Sequence, residues 1–277
     1  MPESLFRTPL LSLSILTLFF FFSACSNSRP AVNSAQSGSQ YSNIQSDTDP
    51  GLFTVTNDAG KIHYEIPDSL LGRDMIVLSR IAKTAQGLGW GGDRLAPQQV
   101  VRWQKKNNRI LLRGVSYDNS SDENKPIYQA VQNSNFPTII AAFDIIGTTG
   151  DRHRIDVTNL YLGDSKTFGL QNRHRSQYKI SRLDRERSYL EFARSFPTNI
   201  EIRTVLTYDA AEPPSQQRTG SISLEVNHSM ILLPEQPMRP RLYDERVAMI
   251  NVSQTDYSDD AQFSKRKQFV TRFRLEP

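Results

Sequence analysis

Four histidines, one cysteine and a glycine run are the residues with which this sequence could do recognisable chemistry. The histidines are His63, His153, His174 and His228, and no pair has the i, i+4 spacing that puts two imidazoles on one zinc ion. His228 falls in the apolar register of a strand, as a hydrogen-bonded core histidine does, and His63 shares a hairpin with Tyr64. His153 and His174 lie among arginines, which repel a metal cation. Gly87-Leu88-Gly89-Trp90-Gly91-Gly92 has the GxGxxG spacing. A dinucleotide site needs a helix N-terminus directly after such glycines, and here Pro97 and a strand pattern follow. The segment reads as a surface loop, or as a binding loop in which Trp90 is an aromatic platform with Arg94 nearby. Asp256-Tyr257-Ser258-Asp259-Asp260 offers oxygens to calcium but lacks the glycine and terminal Glu of an EF-hand loop, so it reads as a solvated acidic turn. There is no GxSxG elbow, and nucleophilic hydrolysis has no signature here.

The single cysteine, Cys25, closes a targeting segment. Arg7 supplies a short positive region, and Pro9 to Phe22 is an apolar run that suits an export signal and is short for a membrane span. Small residues Ser23-Ala24 precede Cys25, which resembles the lipobox where bacterial lipoproteins are cleaved and acylated, with Phe22 in place of the usual Leu. Residues 1–24 are therefore expected to be a lipoprotein signal peptide and Cys25 the lipidation site. The expected location is the bacterial cell envelope, held by the lipid anchor, and Ser26 in place of Asp points to the outer membrane. Residues 25–50 are rich in Ser, Asn, Gln and Gly and read as a disordered tether, because they bury too little to offset ordering entropy. The folded part is expected from Gly51.

The elements that must position any site are mostly strands. Leu52–Thr56 and Lys61–Ile66 flank the turn Asn57-Asp58-Ala59-Gly60, a hairpin signal. Further strands are expected at 75–81, 99–104, 109–116, 138–146 and 152–158. The clearest pair is 200–208 with 222–232, where apolar and polar residues alternate with period two. The Ala210–Gly220 loop between them carries Pro213-Pro214 and is expected to project into solvent, and Phe269, Thr271, Phe273 and Leu275 share one register at the end. Two helices are expected, Ile127–Asn133 and Asp184–Phe196, the second from a stripe of Leu183, Leu190, Ala193 and Phe196 stopped by Pro197. The fold class is mainly β, an antiparallel layered domain with one or two short helices, divided into a small hairpin region at 51–84 and a main β-rich domain at 85–277. Pro234–Arg241, with Arg239 and Arg241, reads as an extended connector or as a strap against a partner domain. With 33 Lys plus Arg against 29 Asp plus Glu and no basic block, a dedicated nucleic-acid binder is excluded.

Several ordered segments resemble the N-terminal region of large secreted bacterial metalloproteases of the zincin type. They are 65–74 (EIPDSLLGRD) with 78–81, Ser134-Asn135-Phe136-Pro137 with 139–144, 196–201 (FPTNIE), 237–244 (PMRPRLYD), 253–257 (SQTDY) and 272–277 (RFRLEP). The resemblance implies two consecutive regions of uncharacterised function, followed by a catalytic domain with an HExxH helix and its zinc. None of that motif occurs in these 277 positions, so the resemblance assigns no catalytic and no metal residue to the chain. The chain alone is expected to be inactive, with no cofactor of its own, zinc belonging to the catalytic domain that would begin where it ends. The expected function is that of a noncatalytic N-terminal region of a cell-envelope zinc metalloprotease, as scaffold, substrate-positioning surface or latency element. Its partners would be the catalytic domain and, through the lipid, the membrane. The rival is a free-standing lipoprotein that captures a peptide or glycan, with Trp90, Arg94, Arg239 and Arg241 as its candidate surface.

Overall fold

Short turns with left-handed backbone set the first hairpins. Ala59 and Gly60 have φ of 53° and 84°, the two positive values of a type I′ loop, and Asn57 Oδ1 accepts the Gly60 N–H at 3.1 Å. This turn joins β2 (Thr54–Asp58) to β3 (Lys61–Pro67), and β1 (Asp47–Asp49) pairs with β2 on the other side. Strand pairing thus already includes Asp47, ahead of the Gly51 start expected from composition. The computed structural model describes residues 47–214, 219–247, 249–259 and 263–272. The signal peptide, Cys25 and the tether up to residue 46 lie outside the described residues, as do 215–218 of the Pro-rich loop, Asp260, Phe273 and Leu275.

The chain continues through β4 (Asp74–Lys83), β5 (Gln99–Lys106), β6 (Arg109–Val115), β7 (Asn119–Ser120) and α1 (Ile127–Ser134). Then come β8 (Thr138–Thr149), β9 (Arg152–Asp156), α2 (Thr158–Leu162) and α3 (Asn172–Gln177). The last strands are β10 (Ile180–Ser195), β11 (Asn199–Ala210), β12 (Ser221–Leu232), β13 (Asn251–Asp256) and β14 (Lys265–Val270). Eleven strands form one antiparallel sheet in the order β1-β2-β3-β9-β8-β6-β5-β4-β12-β11-β10, and β14-β13-β7 form a smaller one. Residues 51–84 and 85–277 share the large sheet, since β3 pairs with β9 and β4 lies between β5 and β12.

The two ends of the large sheet meet. The Leu52 N–H donates to the Phe196 carbonyl at 2.7 Å, Ser195 Oγ to the Phe53 carbonyl at 2.7 Å, and the Ser195 N–H to Asp49 Oδ2 at 3.0 Å. The sheet therefore curls around its own apolar face, and its opposed walls are the layers that the alternation calls for. Inside, Phe53, Tyr64, Trp103, Phe143, Tyr161 and Phe168 form a chain of ring contacts at 5.5 to 6.2 Å. The Tyr64 and Tyr161 hydroxyls bond at 2.7 Å, and Trp103 Nε1 donates to Met230 Sδ at 3.4 Å, so the buried polar tips are satisfied.

The expected helix at Asp184–Phe196 is a strand. Residues 180–195 pair with β11, and the pairing slips between Asp184 and Tyr189. There Asp184 Oδ1 accepts the N–H of Glu186 at 2.9 Å and of Arg187 at 3.2 Å, while Ser188 Oγ reaches the Asp184 carbonyl at 2.5 Å. Asp184, Glu186 and Arg187 have the look of a first helical turn because this bulge caps its own N–H groups in the same way. The helix expected at Ile127–Asn133 is α1; α2 and α3 are too short to leave a periodic trace.

Candidate functional site

Strand β8 is longer than its hairpin partner. It pairs with β6 from Thr138 to Asp144 on one edge and with β9 from Ile145 to Thr149 on the other. Among the described residues no strand lies against the second edge of Thr138–Asp144. In an antiparallel ladder alternate residues turn their N–H and C=O away from the paired strand, so this edge presents unpaired main-chain groups. A cavity of about 700 Å³ runs beside it, bounded across the gap by α2, the 163–167 loop and Arg185 of the β10 bulge. Five consecutive β8 residues, Ile140 to Asp144, line that cavity. Consecutive strand residues point to opposite faces, so a cavity touched by all five follows the edge rather than a face. Such a stretch spans about 17 Å at the usual rise per residue.

The groove is apolar on the β8 side and charged around the rim. Phe143 is buried in the core, Ala142 is exposed, and Ile139 and Ile146 are 48% and 56% exposed. Asp144 accepts from Arg109 Nε at 2.7 Å, Asp164 is paired with Arg175, and Asp156 accepts the Thr158 N–H at 2.9 Å. Lys166 and Arg185 have no ion pair among the described residues. The arrangement suits an extended chain that adds as a strand, its main chain bonded to β8 and a carboxylate set toward Lys166 and Arg185.

The residues singled out from sequence lie elsewhere. Trp90 is 80% exposed at the tip of the glycine loop, which is pinned to β4. The Gly92 N–H donates to the Ile81 carbonyl at 2.7 Å, the Ile81 N–H to the Asp93 carbonyl at 2.9 Å, and the Trp90 N–H to Asp93 Oδ2 at 2.9 Å. Arg94, exposed, bridges Arg80 across this edge, while Leu88 and Leu95 are buried beneath. No helix follows the glycines, so they serve a fold-back of the chain; Gly92, at φ 91°, takes a turn that other residues resist. Arg239 and Arg241 line a different, shallow cavity of about 650 Å³ with Met238, Leu242 and Arg272. The Arg241 carbonyl accepts the Val270 N–H at 3.0 Å, so the Pro-rich segment straps onto β14 of its own chain. Cys25 lies outside the described residues.

Two of the four histidines, His228 and His153, are committed to the fold by hydrogen bonds, whereas Nδ1 of His63 and of His174 is buried without a partner among the described residues. His228 is buried, with Nδ1 2.9 Å from Ser79 Oγ and Nε2 3.4 Å from Thr204 Oγ1, and burial pushes its pKa down to about 3. His153 Nε2 is 2.8 Å from Asp68 Oδ1 and 3.1 Å from Lys105 Nζ. Among the described residues no group of three or more His, Cys, Asp or Glu side chains could hold a metal ion. Of the acidic turn, Tyr257 and Asp259 are exposed as expected, but Asp256 is buried, pairs with Lys267 and accepts from Ser258, and these bonds hold its carboxyl down at about 2. Asp259 is paired with Lys265 at 2.5 Å.

Sequence reasoning missed the β8 edge. Its one legible signal is arm length, since an apolar run from Thr138 faces a partner arm that stops at Asp156. Comparison with curated proteins and with solved structures gives no match. Residues 41–84 match the family described as a domain of unknown function, DUF5118. Residues 92–277, more than half of the chain, match another domain of unknown function, DUF5117, and it is to the DUF5117 family that the chain belongs.

Proposed function

We propose that the chain is a noncatalytic β module that holds an extended polypeptide along the free edge of β8. In this reading it is the substrate-positioning N-terminal region of a zinc-dependent metalloprotease of the zincin type at the bacterial cell envelope. The observation that carries the reading is the unpaired edge of Thr138–Asp144 beside its groove. A protease that accepts many sequences needs contacts to groups that every peptide has, and main-chain donors and acceptors are those groups. The link to zincins rests on the sequence segments named above, and the zinc belongs to the catalytic domain. Acyl chains on Cys25 would hold the module at the membrane surface, with Ser26 directing it to the outer membrane.

The test mixes the full chain with zinc and a fluorescein-labelled, reduced and carboxymethylated polypeptide. Binding without cleavage is expected, and Ala142→Lys, a change at an exposed position, is expected to weaken it about tenfold by setting a charge in the groove. Chelator-sensitive cleavage would overturn the noncatalytic assignment. Failure to bind unrelated polypeptides would favour a scaffold or latency role instead. Detergent-phase partition that is lost in Cys25→Ser tests the anchor. The second reading, a free-standing lipoprotein that captures a glycan or peptide, draws on Trp90, an exposed ring on a hydrogen-bonded loop. It predicts that Trp90→Ala, rather than Ala142→Lys, abolishes ligand capture.

A further inference from the structure

We propose that the outer face of β4, β5 and β6 carries a separate binding site for an organic carboxylate. In register, Asp74 lies opposite Arg102, and Arg102 opposite Arg113. One row across three strands thus holds two guanidinium groups and one carboxylate. Like charges directly opposed on a ladder destabilise it. Asp74 is already engaged, accepting from Arg102 Nε at 2.8 Å and from the Tyr117 hydroxyl. Arg113 has no carboxylate partner among the described residues.

The Arg113 fork is nevertheless held in place. Its Nε donates to Gln104 Oε1 at 2.7 Å, its Nη1 to the Pro137 carbonyl at 2.9 Å, and its Cζ lies over the Phe136 ring, 4.9 Å from the ring centre. Those bonds leave Nη2 of Arg113 free, and Asp74 and Tyr117 leave Nη1 of Arg102 free. Both arginines line one cavity of about 340 Å³, together with Gln104, Val115 and Phe136. A pair of positioned guanidinium groups takes a planar, bidentate acceptor. The row's one uncompensated positive charge matches a monoanion. Phe136, 71% exposed, and Val115 add an apolar wall, which favours an organic acid over a bare oxyanion. The volume is at the small end for ligand pockets, so the ligand is small, or is the terminal residue of a longer chain.

Calorimetric titration of the full chain tests this with N-acetylphenylalanine, its amide, inorganic phosphate and a hexapeptide ending in phenylalanine with a free carboxylate. The acid is expected to bind and the amide not. Arg113→Gln is expected to lose about tenfold or more in affinity, and Arg113→Lys to recover only part of it, since it restores the charge without the fork. Phe136→Ala, at an exposed position, is expected to weaken the acid without altering the melting temperature. Tighter binding of the hexapeptide than of the acid marks a chain terminus as the source of the carboxylate; equal or weaker binding marks a free organic acid. Equal binding of the amide, phosphate binding as tight as the acid, or no heat from any ligand at millimolar concentration would overturn the site. So would undiminished affinity in Phe136→Ala together with either arginine variant.

Discussion

The large sheet leaves two stretches of strand edge of opposite character: the second side of β8 along Thr138–Asp144, where β9 stops short, and the outer edge of the terminal strand β10 ahead of Ser195, where it meets the other end of the sheet. Strand β10, sixteen residues long, carries Arg182, Asp184, Arg185, Glu186, Arg187, Glu191 and Arg194, and its pairing slips at three places. Charges and bulges are the devices by which natural edges refuse a further strand. The free stretch of β8, Thr-Ile-Ile-Ala-Ala-Phe-Asp, carries one charge at its end, no proline and no lysine. Two edges of one sheet, folded from one chain, differ in whether they are guarded. The contrast argues that the open edge is kept for pairing, because the same sequence closes the other one.

The comparison breaks most severely if the core behind β8 is emptied. Phe143, 5.7 Å from Trp103 ring to ring, is the buried residue of the open stretch, with Ile140 and Ala141 packed partly buried against the same core, whereas β10 turns Ala193 inward. Phe143→Ala is expected to cost about 3–5 kcal/mol, the usual range for such a truncation. Urea denaturation checks it. Ala193→Gly, which removes one methyl from the β10 side, should cost less, and equal losses would mean that the two walls share the core evenly.

Acid should load the β10 side next, through His228 on β12, two strands from β10. Its ring is neutral in the fold, with a pKa pushed down to about 3 by burial, while in the unfolded chain it titrates near 6.5. The unfolded state therefore binds more protons below pH 6.5. Stability is full above that pH, falls by roughly 1.4 kcal/mol per pH unit beneath it, and levels off only near the folded value. His63 and His174, also lowered by burial, add to the same slope. His228→Gln keeps hydrogen-bonding groups for Ser79 and Thr204 but does not titrate, so its stability profile between pH 6.5 and 5 should be flatter than that of the wild type. An unchanged slope would move the acid sensitivity to another group.

Much of this architecture is legible in the sequence, and the exceptions have physical causes. Alternation marks β11 and β12 because each has one buried face, and the turn residues Ala59-Gly60 mark the first hairpin. It fails at β10, where a bulge resets the register and leaves Leu183, Leu190 and Ala193 at spacings that imitate a helix. The β8 edge is invisible to a residue-by-residue reading, because an open edge is a property of where the neighbour stops. The Arg102–Arg113 row is hidden for the same reason: only the register places two arginines eleven positions apart directly opposite each other. Trp90 was legible as an exposed ring, while the hydrogen bonds that hold its loop were not.

Exchanging the guards sharpens the contrast further. Arg182→Thr with Arg194→Thr removes two charges from the β10 edge while the Asp184 bulge remains. If charge is what guards that edge, the double variant is expected to self-associate in light scattering at concentrations where the wild type is monodisperse. Its affinity for the labelled polypeptide at β8 should stay within about twofold, since exposed substitutions away from a site act weakly. A large loss of polypeptide binding would extend the peptide site from Arg185 along β10 and dissolve the distinction between the edges.

The smallest effect is expected at the bulge itself. Asp184 holds it by accepting the N–H groups of Glu186 and Arg187 and by pairing with Arg187 Nε at 2.7 Å, bonds that keep its carboxyl below the usual range. Ser188 Oγ completes the loop, donating to the Asp184 carbonyl at 2.5 Å and accepting the Thr207 N–H at 3.0 Å. In Asp184→Ala the two N–H groups lose their acceptor while Ser188 still ties the bulge to β11. The expected result is faster amide hydrogen exchange confined to Glu186 and Arg187, with neighbouring β11 amides and polypeptide binding unchanged. Lowering the pH toward and below the carboxyl's folded pKa should reproduce that faster opening in the wild type and not in the variant. Exchange that quickened along the whole of β10 would mean that the bulge organises the strand, and that the guarded edge depends on one carboxylate.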